Sequence, residues 1–138
     1  MQADYLLHRW LCERQELIVI LNVLCHHRPF SKVKDQNFLH ETLQYFCQLL
    51  IDYISKGHFK IFEHIYPVQE TQNVMENILC STHAASEFND KYHINQKELN
   101  NLETDLGKLA SQLAQRFEWE DKLVECYRKA KMTSSLRA

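Results

Sequence analysis

Two glycines and two prolines in 138 residues leave this chain few ways to turn. A sheet protein reverses direction often, and its turns draw heavily on those two residues. The expectation is an all-α fold, and apolar residues do recur at helical spacing in four segments. The first segment runs from about Asp4 to Cys25, with Leu7, Leu11, Ile18, Leu21 and Cys25 on one face and Trp10, Leu17 and Leu24 widening it. His26-His27-Arg28-Pro29 closes it, since cations suit a helix C-terminus and proline cannot continue the helix. Residues 29–36 read as a loop.

The second segment spans about Asn37 to Tyr66, with Leu39, Leu43, Phe46, Leu50 and Tyr53 as its stripe. Unbroken, it is about 45 Å long at ~1.5 Å per residue. The third covers about Thr71 to Phe88, with Val74, Ile78 and Ala85 inward, and 88–95 reads as a loop. The fourth runs from Asn95 to about Lys131. Asn95 and Glu98 resemble a capping box, and Leu99, Leu102, Leu106, Leu109 and Leu113 keep 3–4 spacing. Short connections between long amphipathic helices imply an antiparallel bundle of four main helices. The length fits one domain, 1–138, with a frayed tail over about 132–138.

Apolar residues make up 45% of the chain and charged residues 25%, ordinary proportions for a soluble globular protein. Sixteen basic against 18 acidic residues give a net charge of −2, which argues against nucleic acid as a direct partner. No apolar run is long enough for a membrane span. The N-terminus is too charged for a secretory signal, so a cytoplasmic location is expected. Five cysteines at 12, 25, 47, 80 and 126, with no CxxC, read as reduced and mostly buried thiols.

Two places break the helical pattern. Seven residues beyond Leu113 the fourth stripe meets Glu120, with Arg116 one turn earlier to pair with it. This is either a charge reaching solvent at a bundle end or a polar cluster facing a cleft or partner. In the second segment, Tyr45, Leu49, Asp52, Lys56, Phe59 and Glu63 form a second face of aromatics and acids. Such a face is either a partner site or the second side of a doubly buried helix. Gly57 sits between the two faces. It costs about 1 kcal/mol relative to alanine and marks a bend or a close approach.

Metal and cofactor chemistry finds little support. No Glu-x-x-His occurs, so the di-iron bundle pattern is absent. His8 and Cys12 stand at i,i+4 and could be two zinc ligands, but a site needs three or four. His58 is read as a hydrogen-bonded residue near a cleft rather than a ligand. Two isolated glycines make no phosphate loop. No metal, cofactor or catalytic residue is expected.

Three blocks carry a resemblance: LHRWL-x2-R-x2-L (7–17), FCQLLIDYISKGHFKIFEHI (46–65) and LG-x8-RFEWEDKL (106–123). They resemble the Rsd/AlgQ family of bacterial anti-sigma factors. The middle block is the most specific, while residues 67–95 and the tail beyond Leu123 match poorly. The resemblance implies a non-enzymatic helical bundle that binds region 4 of the primary sigma factor and regulates transcription in stationary phase. Binding would keep sigma from core polymerase and from the −35 element. The resemblance also points to Asp52, facing a sigma arginine. Helical geometry and motif matching add Tyr53, Lys56, Phe59, Phe62 and Glu63, with Trp10 and Arg14 from the first segment and Glu120 and Asp121 from the fourth. The family further suggests contact with a phosphocarrier protein or an alarmone-metabolising enzyme. The alternative is a bundle binding a small ligand or metal in a central cleft lined by Trp10, Tyr53, His58 and Glu120.

Overall fold

The computed structural model describes the backbone of residues 2–57, 61, 62, 72–93 and 100–137. Four long helices account for nearly all of it: α1 (Gln2–His26), α2 (Gln36–Lys56), α3 (Gln72–Tyr92) and α4 (Leu102–Arg137). No strand occurs among the described residues. A 3-10 turn, Phe30–Lys32, lies in the first connection and buries Phe30.

Each helix lies antiparallel to the next. The α1–α2 seam is marked by Trp10 against Tyr53 at one end and His27 against Phe38 at the other. Phe46 meets Phe88 across α2–α3. Lys91 and Tyr92 at the end of α3 both reach Asp105 near the start of α4. Long side chains close the ring between α4 and α1. Tyr127 and Lys131 both donate to Asp4, and Arg14 donates to Asp121 at 2.7 Å.

The apolar stripes sort as their spacing dictates. Leu39, Leu43, Phe46, Leu50 and Tyr53 of α2 are all buried, as are Leu102, Leu106, Leu109 and Leu113 of α4. On α1 the core line is rotated from the expected one. Leu7, Trp10, Leu17, Leu21 and Leu24 are buried, whereas Leu11, Ile18 and Cys25 are half-buried. Trp10, Leu17 and Leu24 repeat every seven residues, and turning them inward lets the largest ring of the helix reach α2.

Several boundaries differ from the sequence reading. Helix α3 continues through Tyr92, so the segment from Phe88 is no loop at its start. Phe88 and Tyr92, one turn apart, pack ring on ring at 4.6 Å. The apolar pair overrides the polar residues between them. Helix α4 begins at Leu102 rather than Asn95, and the expected Asn95/Glu98 capping box lies outside the described residues. Helical backbone reaches Arg137 at the other end. Helix α2 starts one residue earlier than expected because Asp35 caps it, accepting from the Phe38 N–H at 3.0 Å. Regular helix stops at Lys56; Gly57 keeps helical angles and its N–H bonds back to Tyr53 and Ile54.

The cysteines are all free thiols, but only Cys47 is fully buried. Cys25 and Cys126 are half-buried, and Cys12 and Cys80 are exposed. That corrects the expectation of mostly buried thiols: Cys12 and Cys80 sit on the outer sides of α1 and α3. Burial pushes the Cys47 thiol up to about 12.

Candidate partner-binding face

The ten residues singled out from sequence separate into two environments. Asp52 is exposed on the outer side of α2, where its carboxylate accepts from the Gln48 amide at 3.2 Å. One turn on, Lys56 pairs with Glu13 of α1. Across the same α1–α2 surface the Tyr45 hydroxyl donates to Glu16. Tyr45 and Val19 are among the most exposed large apolar side chains of the chain. This outer face combines aromatic and aliphatic surface with the carboxylates of Glu13, Glu16 and Asp52. Among the described residues no cation stands opposite Asp52. Phe59 and Glu63, expected on the same face, lie outside the described residues.

Trp10, Tyr53, Phe62 and Glu120 lie inside the bundle instead, each no more than 4% exposed. Trp10 stacks on Tyr53 with centroids 4.8 Å apart and planes 2° apart, and Phe62 meets Trp10 edge-on at 5.7 Å. The Trp10 indole N–H donates to the Tyr53 carbonyl at 3.1 Å. The Tyr53 hydroxyl donates to Glu120, which also accepts from the Arg116 Nε at 2.9 Å. Arg116 Nη1 in turn donates to the Ile78 carbonyl and to the hydroxyls of Ser81 and Thr82, at 3.2, 3.1 and 2.7 Å. The break in the α4 stripe is therefore no charge reaching solvent, since Arg116 and Glu120 are both 0% exposed, but Arg116 and Ser81 do border a groove of about 320 Å³ between α3 and α4. Besides each other, Glu120 finds Tyr53 on α2 and Arg116 finds three acceptors on α3, which offsets much of the cost of burying two charges, although Arg116 Nη2 has no hydrogen-bond partner among the described residues.

Burial pushes the Glu120 carboxyl above its ordinary range, against the opposing pull of Arg116, Tyr53 and Arg14. Burial likewise raises the Tyr53 hydroxyl well above the tyrosine range, and the Glu120 carboxylate adds to it. The proton between them stays on tyrosine.

Arg14 and Asp121 occupy the margin between the two environments. Arg14 reaches Asp121 at 2.7 Å and Glu120 at 3.5 Å, and lies over the Phe117 ring at 5.4 Å. Burial pulls its guanidinium down, but the bond to Asp121 and the nearby charges hold it above its usual value. Both residues line a groove of about 390 Å³ between α1 and α4, together with Leu11, Val124 and Met132.

Where the structure describes them, the residues expected to line a central ligand cleft are packed together. Of its four expected lining residues, Trp10, Tyr53 and Glu120 pack against one another, and His58 lies outside the described residues. Among the described residues no group of three or more His, Cys, Asp or Glu side chains is placed to hold a metal ion, and no helix is long and apolar enough to cross a membrane.

Sequence reasoning did not single out Glu13, Glu16, Ser81 and Thr82. Tyr45 was legible from its place in the second face of α2. The two acids of α1 acquire meaning only from what α2 sets opposite them, and the two hydroxyls from what α4 does.

Residues 1–128 match the family described as "Regulator of RNA polymerase sigma(70) subunit, Rsd/AlgQ". Curated relatives bear the name "Regulator of sigma D". The protein from Escherichia coli O127:H6 (strain E2348/69 / EPEC) is 31% identical, the match covering 88% of this chain and 83% of that one. The protein from Yersinia pseudotuberculosis serotype O:1b (strain IP 31758) is 28% identical over 89% of this chain and 79% of its own length. The protein from Sodalis glossinidius (strain morsitans) is 30% identical over 87% and 86%. No solved structure gives a significant match. On the strength of a family match that runs from α1 well into α4, the chain belongs to the Rsd/AlgQ family of regulators of the sigma(70) subunit of RNA polymerase.

Proposed function

We propose that the chain is an anti-sigma factor that binds region 4 of the primary sigma factor through the outer α1–α2 face. Asp52 is its charged anchor. The supporting observation is the placement of Asp52: an exposed carboxylate with no cation opposite it among the described residues, beside apolar surface and two further acids. Sigma region 4 is a basic helix-turn-helix domain, and a desolvated acid–arginine pair among apolar anchors contributes specificity to such a contact. The mechanism is occlusion in the cytoplasm, in stationary phase, and requires no catalysis. Surfaces that sigma would offer to core polymerase and to the −35 element are covered.

Within this reading the ten candidate residues divide by position. Asp52 and Lys56 meet the partner directly, with Phe59 and Glu63 proposed beside them. Arg14 and Asp121 offer a second, smaller contact at the α1–α4 groove. Trp10, Tyr53, Phe62 and Glu120 act from inside, fixing the angle at which α1 and α2 present the face.

The test is calorimetric titration of purified sigma region 4 with the intact protein and with Asp52→Ala. The expected result is binding weakened about tenfold or more, with the thermal midpoint unchanged. Unchanged binding would remove Asp52 from the contact. Absence of binding by the unsubstituted protein would overturn the function itself.

A further inference from the structure

The buried Arg116 leaves one donor unspent at the edge of a groove. Its Nε and Nη1 are committed to Glu120 and to three acceptors of α3, while Nη2 has no hydrogen-bond partner among the described residues. A buried N–H without an acceptor is costly, and such a group in a folded protein calls for an explanation. Arg116 lines the groove of about 320 Å³ between α3 and α4. That groove takes no residue from α1 or α2, so it lies apart from the outer face that the partner-binding reading uses. We propose that it binds a small organic molecule through an oxyanion, a phosphate or carboxylate group that accepts from Arg116 Nη2.

The charges favour an anion over a neutral acceptor. A guanidinium stays charged, and Glu120, the acid bonded to it, is also faced by Arg14 at 3.5 Å, so two cations share one carboxylate. Ser81 is already in use: it donates to the Ile78 carbonyl and accepts from Arg116, so it holds the arginine rather than a ligand. On the α4 wall, Gln112 and Gln115 carry amides that can donate to the same anion. Both are exposed, and exposed side chains change rotamer within about nanoseconds, which opens a path to the covered guanidinium. The groove also holds one acid, Glu87 on the α3 wall, where the His83 ring meets it at 2.9 Å. The volume suits a small metabolite, and the half-buried Trp119 offers a flat apolar wall for its body.

The experiment is titration of the isotope-labelled full chain with sodium phosphate and with sodium acetate, each against sodium chloride of equal ionic strength. The readout is the side-chain N–H signals of Arg116 in nuclear magnetic resonance. The expected result is a saturating shift of those signals by at least one of the two oxyanions, with none from chloride. Gln112→Glu, which sets a like charge beside the anion, weakens binding about tenfold or more. Glu87→Gln, which removes the acid of the groove, strengthens it about threefold or more. Both substitutions are at exposed positions, so Arg116 itself stays in place, and circular dichroism of each variant shows that the bundle is folded. Three outcomes would overturn the site: Arg116 signals unmoved by either oxyanion at large excess, as a water held on Nη2 would leave them, unchanged affinity in Gln112→Glu, or no gain in Glu87→Gln.

Discussion

Helix α2 makes the same contact twice, with opposite surroundings. Tyr45 donates its hydroxyl to Glu16, and eight residues later Tyr53 donates to Glu120. Tyr45 is 46% exposed, whereas Tyr53 is 1% and Glu120 0% exposed. In water the first pair exchanges one good hydrogen bond for another and adds little net stability. Inside the bundle the second pair has no water to fall back on, so each member depends on the other. The first helps shape a surface; the second helps hold three helices together.

The largest test of that contrast is Glu120→Ala, which leaves Arg116 buried without its counter-charge. The expected loss is about 3–5 kcal/mol in urea denaturation. A loss no greater than a surface substitution gives would break the comparison. Glu120→Gln, which keeps an acceptor and the shape, is expected to lose less. The same variant checks a pH dependence. Because the folded carboxyl is raised, its contribution is fully present below the ordinary carboxylate range and is lost as pH rises through the folded value. The stability curve of the unsubstituted protein should therefore slope downward over that window, and the slope should flatten in Glu120→Gln.

Next in size is Tyr53→Phe, expected to lose about 1–3 kcal/mol by leaving a Glu120 oxygen without its donor. The two glycines give a paired test of close packing. A Cβ on Gly57 would lie 3.1 Å from Trp10 Cζ2 and 3.3 Å from Phe62 Cζ, whereas one on Gly107 meets nothing within 4 Å. Gly57→Ala should destabilise by roughly 1 kcal/mol, the crowding outweighing the gain in helix propensity. Gly107→Ala should stabilise by about 0.5–1 kcal/mol. Thermal unfolding of the two variants side by side decides both signs. The smallest effect belongs to Tyr45→Phe, within about 0.5 kcal/mol. A larger loss there would mean that the two tyrosines do not differ as their exposure implies.

What could be read in advance follows from the range of the interactions. The all-α class and the buried faces of α2 and α4 rest on local periodicity, and Leu39, Leu43 and Leu50 of α2 and Leu102, Leu106, Leu109 and Leu113 of α4 sort accordingly, while Leu99 lies outside the described residues. The oddity of Arg116 and Glu120 was also visible as a break in that periodicity. Its resolution was not, because Ser81 lies 35 residues from Arg116 and Tyr53 lies 67 from Glu120. The extension of α3 was hidden because polar residues surround Phe88 and Tyr92, and only their packing reveals the turn they share. Of the candidate contacts, the exposed position of Asp52 was legible from its face. The burial of Tyr53 was legible from the α2 stripe and that of Trp10 from the widened α1 face, whereas that of Phe62, and the stacking of Trp10 on Tyr53, depend on how far α1 rolls toward α2, which no single helix specifies.

Gly57 was first notable as a rare residue in a helical stretch, and the close approach expected there is made by a side chain. The Trp10 indole rests where a Gly57 side chain would stand, stacks on Tyr53 and bonds to the Tyr53 carbonyl. It acts as a key in a notch. Sliding α1 along α2 by one turn, about 5.4 Å, would lose all three contacts together. The two helices that carry the outer face are thereby fixed in register, and the spacing of Glu13, Glu16 and Asp52 across it is set by a residue that never reaches the surface.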